Sequence, residues 1–176
     1  MSMQNALSAI ESCPLPVIVA IHGPCIGAGI DLACAADIRI CASSSRFSIR
    51  EVRIGLAADV GTLQRFPKIV GHGSRVRELC LTGEDFDAVE AERIGFVSRI
   101  VEDKLLMKLA LEICGKIIVN SPVAVAVTKE SLNYSRDVSV KEGLERMAIL
   151  NSAMLLTDDL GKMDGNFDRL LPHSRL

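Results

Sequence analysis

Between Val17 and Ala36 the chain passes from a β-branched apolar run, through a turn holding three glycines, into a stretch of small side chains. Val17-Ile18-Val19-Ala20-Ile21 is apolar on both faces, the pattern of a buried parallel strand. It ends at His22-Gly23-Pro24, read as a turn. Gly27-Ala28-Gly29 then leads into Ile30-Asp31-Leu32-Ala33-Cys34-Ala35-Ala36, suited to a helix packed closely on a sheet. A strand that delivers a glycine-rich turn to a helix start aims free backbone N–H groups at one point. The helix dipole favours negative charge there.

The pattern continues on both sides. Pro14-Leu15-Pro16 closes a short amphipathic helix, because proline disfavours helix for its predecessor and cannot donate within one. Ile38–Ala42 reads as a second strand and Phe47-Ser48-Ile49 as a third. Helical periodicity follows from Thr62 to Ile69, Ser74 to Leu81, Asp87 to Ile94 and Lys104 to Val119, interrupted by a strand over Val97–Val101. Ser121-Pro122 is a helix start with proline at its first position; helices are expected through Ser131, from Ser139 to Leu156, and over most of the remaining end. The class is α/β with a helical extension.

Composition narrows the partners. The 176 residues are 49% hydrophobic and 24% charged, with mean hydropathy +0.31, which excludes disorder and collagen-like repeats. A formal charge of −2 without basic runs argues against nucleic-acid or anionic-membrane surfaces. No apolar run approaches the roughly 20 residues that span a bilayer, and the amino end lacks the basic and apolar regions of a signal peptide. Cysteines 13, 25, 34, 41, 80 and 114 form no C-x-x-C pair, so no metal site is expected, and they read as small buried hydrophobes of a reduced compartment. Ser174-Arg175-Leu176 resembles the S-K-L peroxisomal address.

The glycine turn is no Walker loop, for no Gly-Lys-Ser/Thr follows, and no dinucleotide fingerprint, for Gly27-x-Gly29 leads to Ala33 instead of a third glycine. Two readings remain: glycines that allow close helix packing, or an oxyanion hole whose backbone donors meet a developing enolate or tetrahedral oxygen. Three acids accompany it. Asp31 is in the first turns of the following helix, Glu51 follows the third strand, and Asp59 sits within Leu56-Ala57-Ala58-Asp59-Val60-Gly61. Burial among such neighbours is expected to raise the Asp59 pKa toward that of a general acid. Each acid also has a structural reading: first-turn charge for Asp31, exposed charge for Glu51, N-cap ahead of Thr62 for Asp59.

Pro16–Leu32 followed by Ala36-Asp37-Ile38-Arg39 resembles the signature of the crotonase (enoyl-CoA hydratase/isomerase) family. Glu51–Arg65 is similar to its dienoyl-CoA isomerase branch, which places an acid where hydratases carry Pro-Gly-Ala-Gly-Gly-Thr-Gln. The resemblance extends through Ser121-Pro122-Val123-Ala124 and Tyr134-Ser135-Arg136 to the final tripeptide. It implies a crotonase-like α/β spiral of strand-strand-helix units over residues 1–120, then a helical trimerisation region and tail over 121–176. It implies a homotrimer or hexamer acting on a fatty acyl-CoA thioester in β-oxidation, with acyl-CoA as substrate and no separate cofactor. The residence implied is peroxisomal, with mitochondrion or cytoplasm as alternatives.

The branch also implies roles. Glu51 and Asp59 match the proton-transfer pair, Asp31 a third acid of the pocket, Ala28 the backbone oxyanion donor, and Ile26, Gly27 and Gly29 the substrate-binding turn. Moving a 3,5-diene into conjugation as a 2,4-diene removes a proton at C2 and returns one at C6, so two separate groups are needed. Glu51 is assigned as the C2 base and Asp59 as the C6 acid, with Asp31 tuning Asp59 by like-charge coupling. Ala28 stands where the family has glycine, and its backbone donor still serves if its φ is negative. The family's opening strands, with a second oxyanion donor, have no counterpart here. The alternatives are therefore an enoyl-CoA hydratase using Asp31 and Glu51 on a water, and a truncated, non-catalytic oligomerising subunit.

Overall fold

A computed structural model describes residues 2–71 and 73–155. They divide within one helix into two units, Met1–Cys114 and Gly115–Leu176.

The first unit opens with α1 (Met3–Glu11), N-capped by Ser2, and continues with β1 (Ile18–Ile21), β2 (Pro24–Ile26), α2 (Ala28–Ala35), β3 (Ile38–Ala42) and β4 (Arg46–Ser48). Then come a 3-10 turn over Glu51–Ile54, α3 (Thr62–Ile69), α4 (Gly73–Thr82), β5 (Asp85–Asp87), α5 (Ala88–Arg93), β6 (Ile100–Val101) and α6 (Leu106–Ile118). Two three-stranded sheets result. β1, β3 and β6 are parallel, with Ile18 opposite Ile38 and Cys41 opposite Ile100; β2 and β4 are parallel and β5 is antiparallel to β4. The chain thus twice places one strand in each sheet before a helical segment, and returns to the two sheets with β5 and β6 on either side of α5, the strand-strand-helix spiral that the resemblance implies.

Four differences from the expected elements have local causes. Pro24 begins a strand instead of ending a turn: β2 is an edge strand, and proline is tolerated at the first residue of an edge because its missing N–H is not needed there. Asp85-Phe86-Asp87 hides a strand between charges. Phe86 points inward onto Phe47 while Asp85 pairs with Arg50 at 2.6 Å, an alternation too short to read as a period. Of Val97–Val101 only Ile100–Val101 pairs as strand. The 3-10 turn at Glu51 carries no apolar stripe that would announce it.

Few aromatic residues are present, and four of them are concentrated. Phe47 stacks on Phe86 at a centroid distance of 5.3 Å and meets Phe96 edge-on at 5.7 Å, and Phe66 of α3 lies 5.1 Å from Phe96. This cluster joins the second sheet to α3, each ring pair adding about 0.5–1.5 kcal/mol beyond its buried area. Cys25, Cys34 and Cys41 fill the same core as free thiols, and burial pushes them up to about 12, 12 and 11. Cys114 departs from that expectation and is exposed.

In the second unit, α7 (Pro122–Ser135) starts at the Ser121 cap with Pro122 in its first turn, and α8 (Val140–Met154) carries a Ser139–Glu142 capping box. Arg146 lies over the Tyr134 ring at 4.5 Å and pairs with Glu130, fastening α8 to α7. Among the described residues of these two helices only Lys129 is buried, and Leu132 and Leu144 are each about two-thirds exposed, at 66% and 65%. The expected helical end beyond Leu155 and the tripeptide Ser174-Arg175-Leu176 lie outside the described residues. Among the described residues no single helix is long and apolar enough to cross a membrane.

Candidate active site

The turn after β2 is built around Gly27. Its N–H donates to the Ser48 carbonyl of β4 at 3.0 Å, tying the turn to the second sheet, and its φ of 54° is one that side-chain-bearing residues rarely adopt. A Cβ at this position would stand 3.2 Å from Glu51 Oε1, so glycine is what lets the Glu51 carboxylate lie against the turn. The other oxygen, Oε2, is buried and has no hydrogen-bond partner among the described residues.

Gly27 is also the residue preceding α2, and no side chain caps that helix. Hydrogen bonding back along the helix begins at the Ile30 N–H, which reaches the Gly27 carbonyl at 2.7 Å. The N–H groups of Ala28 and Gly29 therefore have no partner within the helix, as the geometry of a first turn requires. Ala28 is helical, so its φ is negative and its methyl is unstrained; it is exposed, while Ile26, Gly27 and Gly29 are half-buried. An uncapped, positive helix end beside a carboxylate with an unused buried oxygen can bind a developing oxyanion and exchange a proton with the adjacent carbon.

Asp31 lies in the first turn of α2. It is fully buried, and its Oδ1 accepts from both the Thr62 N–H at 2.6 Å and the Thr62 Oγ–H at 2.7 Å. Thr62 is the first residue of α3, so Asp31 satisfies the start of a helix other than its own.

Asp59 is exposed, and Leu56 and Ala57 beside it are exposed too. Ala58, directly before it, is buried, so the chain turns in at that residue and out again at Asp59, whose side chain is not buried as local composition suggests. Nor does Asp59 cap α3, whose N-cap is Gly61, with φ 135° and no side-chain bond. Its backbone is held instead: Gln4 of α1 donates through Nε2 to the Asp59 carbonyl at 2.6 Å. Arg65 reinforces this from α3, bonding Glu11 and Ser8 of α1 at 3.0 Å each.

Of the residues expected in the site, the structure brings Glu51 onto Gly27 and puts Ala28 at the open helix end. It pairs Asp31 with Thr62. Thr62, Gln4 and Ser48 were not anticipated: Thr62 pairs with Asp31 across 31 positions, and no local pattern joins them. Among the described residues no group of His, Cys, Asp and Glu side chains is placed to hold a metal ion.

The enoyl-CoA hydratase/isomerase profile matches residues 1–162. The chain belongs to this family. It is 51% identical over 160 residues to the mitochondrial Delta(3,5)-Delta(2,4)-dienoyl-CoA isomerase of Homo sapiens, covering 90% of this chain and 49% of that protein. It is 48% identical over 166 residues to the peroxisomal Delta(3,5)-Delta(2,4)-dienoyl-CoA isomerase of Arabidopsis thaliana, covering 92% of this chain and 58% of that one. The crystal structure of enoyl-CoA hydratase from Bacillus anthracis superposes with a TM-score of 0.90 at 32% identity, covering 95% of this chain and 64% of that one. The crotonase spiral expected from the resemblance is thus the fold of the chain. The chain spans about half the length of the curated relatives it matches.

Proposed function

We propose that the chain carries the proton-transfer half of a dienoyl-CoA isomerase site and shifts the double bonds of a 3,5-dienoyl-CoA into conjugation as the 2,4-isomer. The observation that carries this reading is the Glu51 carboxylate seated on Gly27, beside the uncapped start of α2. There the Ala28 N–H stabilises the thioester oxygen as the dienolate forms, a contribution of roughly 3–4 kcal/mol per donor in comparable sites. Glu51 takes the C2 proton and Asp59 supplies one at C6. Between the two acids Val52, Ile54 and Leu56 are exposed at 40%, 74% and 61%, apolar surface suited to a fatty acyl chain. Acyl-CoA is the substrate, and no separate cofactor enters the reaction.

Hydration fits less well. It asks Asp31 to activate water, and Asp31 already accepts two bonds from Thr62. The test is the growth of 2,4-dienoyl absorbance from a 3,5-dienoyl-CoA. The reading expects turnover that Asp59→Asn reduces at least a hundredfold, within the range for a positioned acid; hydration of a 2-enoyl-CoA that survives this substitution would replace it.

Assembly as a trimer or a dimer of trimers is part of the proposal, supported by Leu132, Val140, Leu144 and Ile149, exposed at 65% or more on α7 and α8. Light scattering at the mass of three or six chains supports it; a monomer refutes it. For residence we take the peroxisomal reading of Ser174-Arg175-Leu176, supported by the name of the Arabidopsis relative, against the mitochondrial names of the animal ones. A fluorescent reporter ending in this tripeptide is expected in peroxisomes, and a cytosolic signal would contradict it.

A further inference from the structure

A buried carboxylate is costly unless several donors satisfy it. Asp31, fully buried, is satisfied on Oδ1 by both donors of Thr62, while Oδ2 has no hydrogen-bond partner among the described residues. Thr62 is itself fully buried. The pair joins two helices with different duties: α2, whose start presents Ala28, and α3, which follows Asp59 by three residues. Asp59 has no side-chain bond of its own among the described residues. Its place is set by the backbone on either side, through Thr62 downstream and through the carbonyl bond from Gln4.

We propose that Thr62 is a positioning residue for Asp59. Its paired bonds to Asp31 latch the start of α3 onto α2 and so fix the distance from the C6 acid to the thioester end of the site. Asp31 then acts as the anchor of this latch, neither transferring a proton nor tuning Asp59 by its charge. The assignment rests on the isomerase reading for its catalytic consequence; the latch itself is a statement about where Asp59 stands.

The test uses the full chain with Thr62→Val, Thr62→Ser, Asp31→Leu and the Asp31→Leu/Thr62→Val pair. A misplacement of about 1 Å costs on the order of a hundredfold, so Thr62→Val is expected to lower kcat by about that factor with KM little changed. Thr62→Ser, which keeps the hydroxyl, restores most of the rate. The double variant should be no slower than the slower single one, since both changes break one latch. Wild-type kcat in Thr62→Val, no rescue by serine, or losses that multiply in the double variant would each overturn the proposal.

A second readout needs no turnover: the carboxyl 13C resonance of Asp59. It is expected to move in Thr62→Val and to return in Thr62→Ser, and an unmoved resonance overturns the latch. If the wild-type chain turns over no dienoyl-CoA, the isomerase reading fails and this resonance alone decides the latch. Should Thr62→Val not fold, Asp31→Leu, which keeps about the size of the carboxylate and removes its acceptors, is read the same way.

Discussion

Helices α2 and α3 start alike and end up with opposite uses. Each is preceded by a glycine with positive φ, Gly27 at 54° and Gly61 at 135°, and neither has a side-chain cap from its own N-cap residue. The start of α3 is filled from outside by the buried Asp31 carboxylate. The start of α2 is not; Glu51 comes up beside it, against Gly27, without bonding to it. A helix end that the fold has already satisfied is structural, whereas one left open next to an unpartnered carboxylate is available to a ligand. The two acids therefore stand differently, Asp31 bonded to the start of a helix and Glu51 beside an open one with a buried oxygen unused, and the proposed function is built on that contrast.

The contrast can be broken at either end. Glu51→Gln, at the open end, is expected to lower dienoyl-CoA turnover by about a hundred- to ten-thousandfold while leaving the urea midpoint nearly unchanged; a large loss of stability would make Glu51 structural. Phe66→Ala removes the ring that ties α3 to Phe96, and should cost about 3–5 kcal/mol in urea unfolding. Its damage belongs to stability, so folded protein should keep most of its activity per site. Gly27→Ala forces a side chain into the left-handed region and against Glu51, for about 1–3 kcal/mol, with turnover falling alongside.

The smallest effect lies away from both helix starts. Glu90 is held down to about 2, first by its bond to the Arg93 guanidinium and then by Arg75. Because its folded pKa is depressed, its contribution is present above the ordinary value of 4.5 and is lost as pH falls toward about 2. Urea unfolding of Glu90→Gln should therefore differ from wild type at neutral pH and converge with it as the pH is lowered through that window.

Much of this was legible in the sequence because it is local. The boundaries of β3 at Ile38–Ala42 and of α3 at Thr62–Ile69 follow from runs and periods contained within each segment. The glycine turn announces Gly27 and the helix start in the same way, while the donor role of Ala28 is what the family resemblance implies. What could not be read is long-range. Nothing near Asp31 in the chain shows that its carboxylate belongs to Thr62, and Phe86 makes a strand only because Phe47 and Phe96 receive it. Asp59 shows how local reasoning misleads: its apolar neighbours suggest burial, and Ala58 beside it is indeed buried, but the Asp59 side chain faces solvent, as does Leu56.

The difference between the two helix starts can be observed directly in the amide resonances of the protein on addition of a 2,4-dienoyl-CoA. A thioester oxygen received at the open end should shift the Ala28 N–H downfield, while the Thr62 N–H, already bonded to Asp31, stays where it is. An unmoved Ala28 with a displaced Thr62 would place the ligand at the wrong helix and contradict the account.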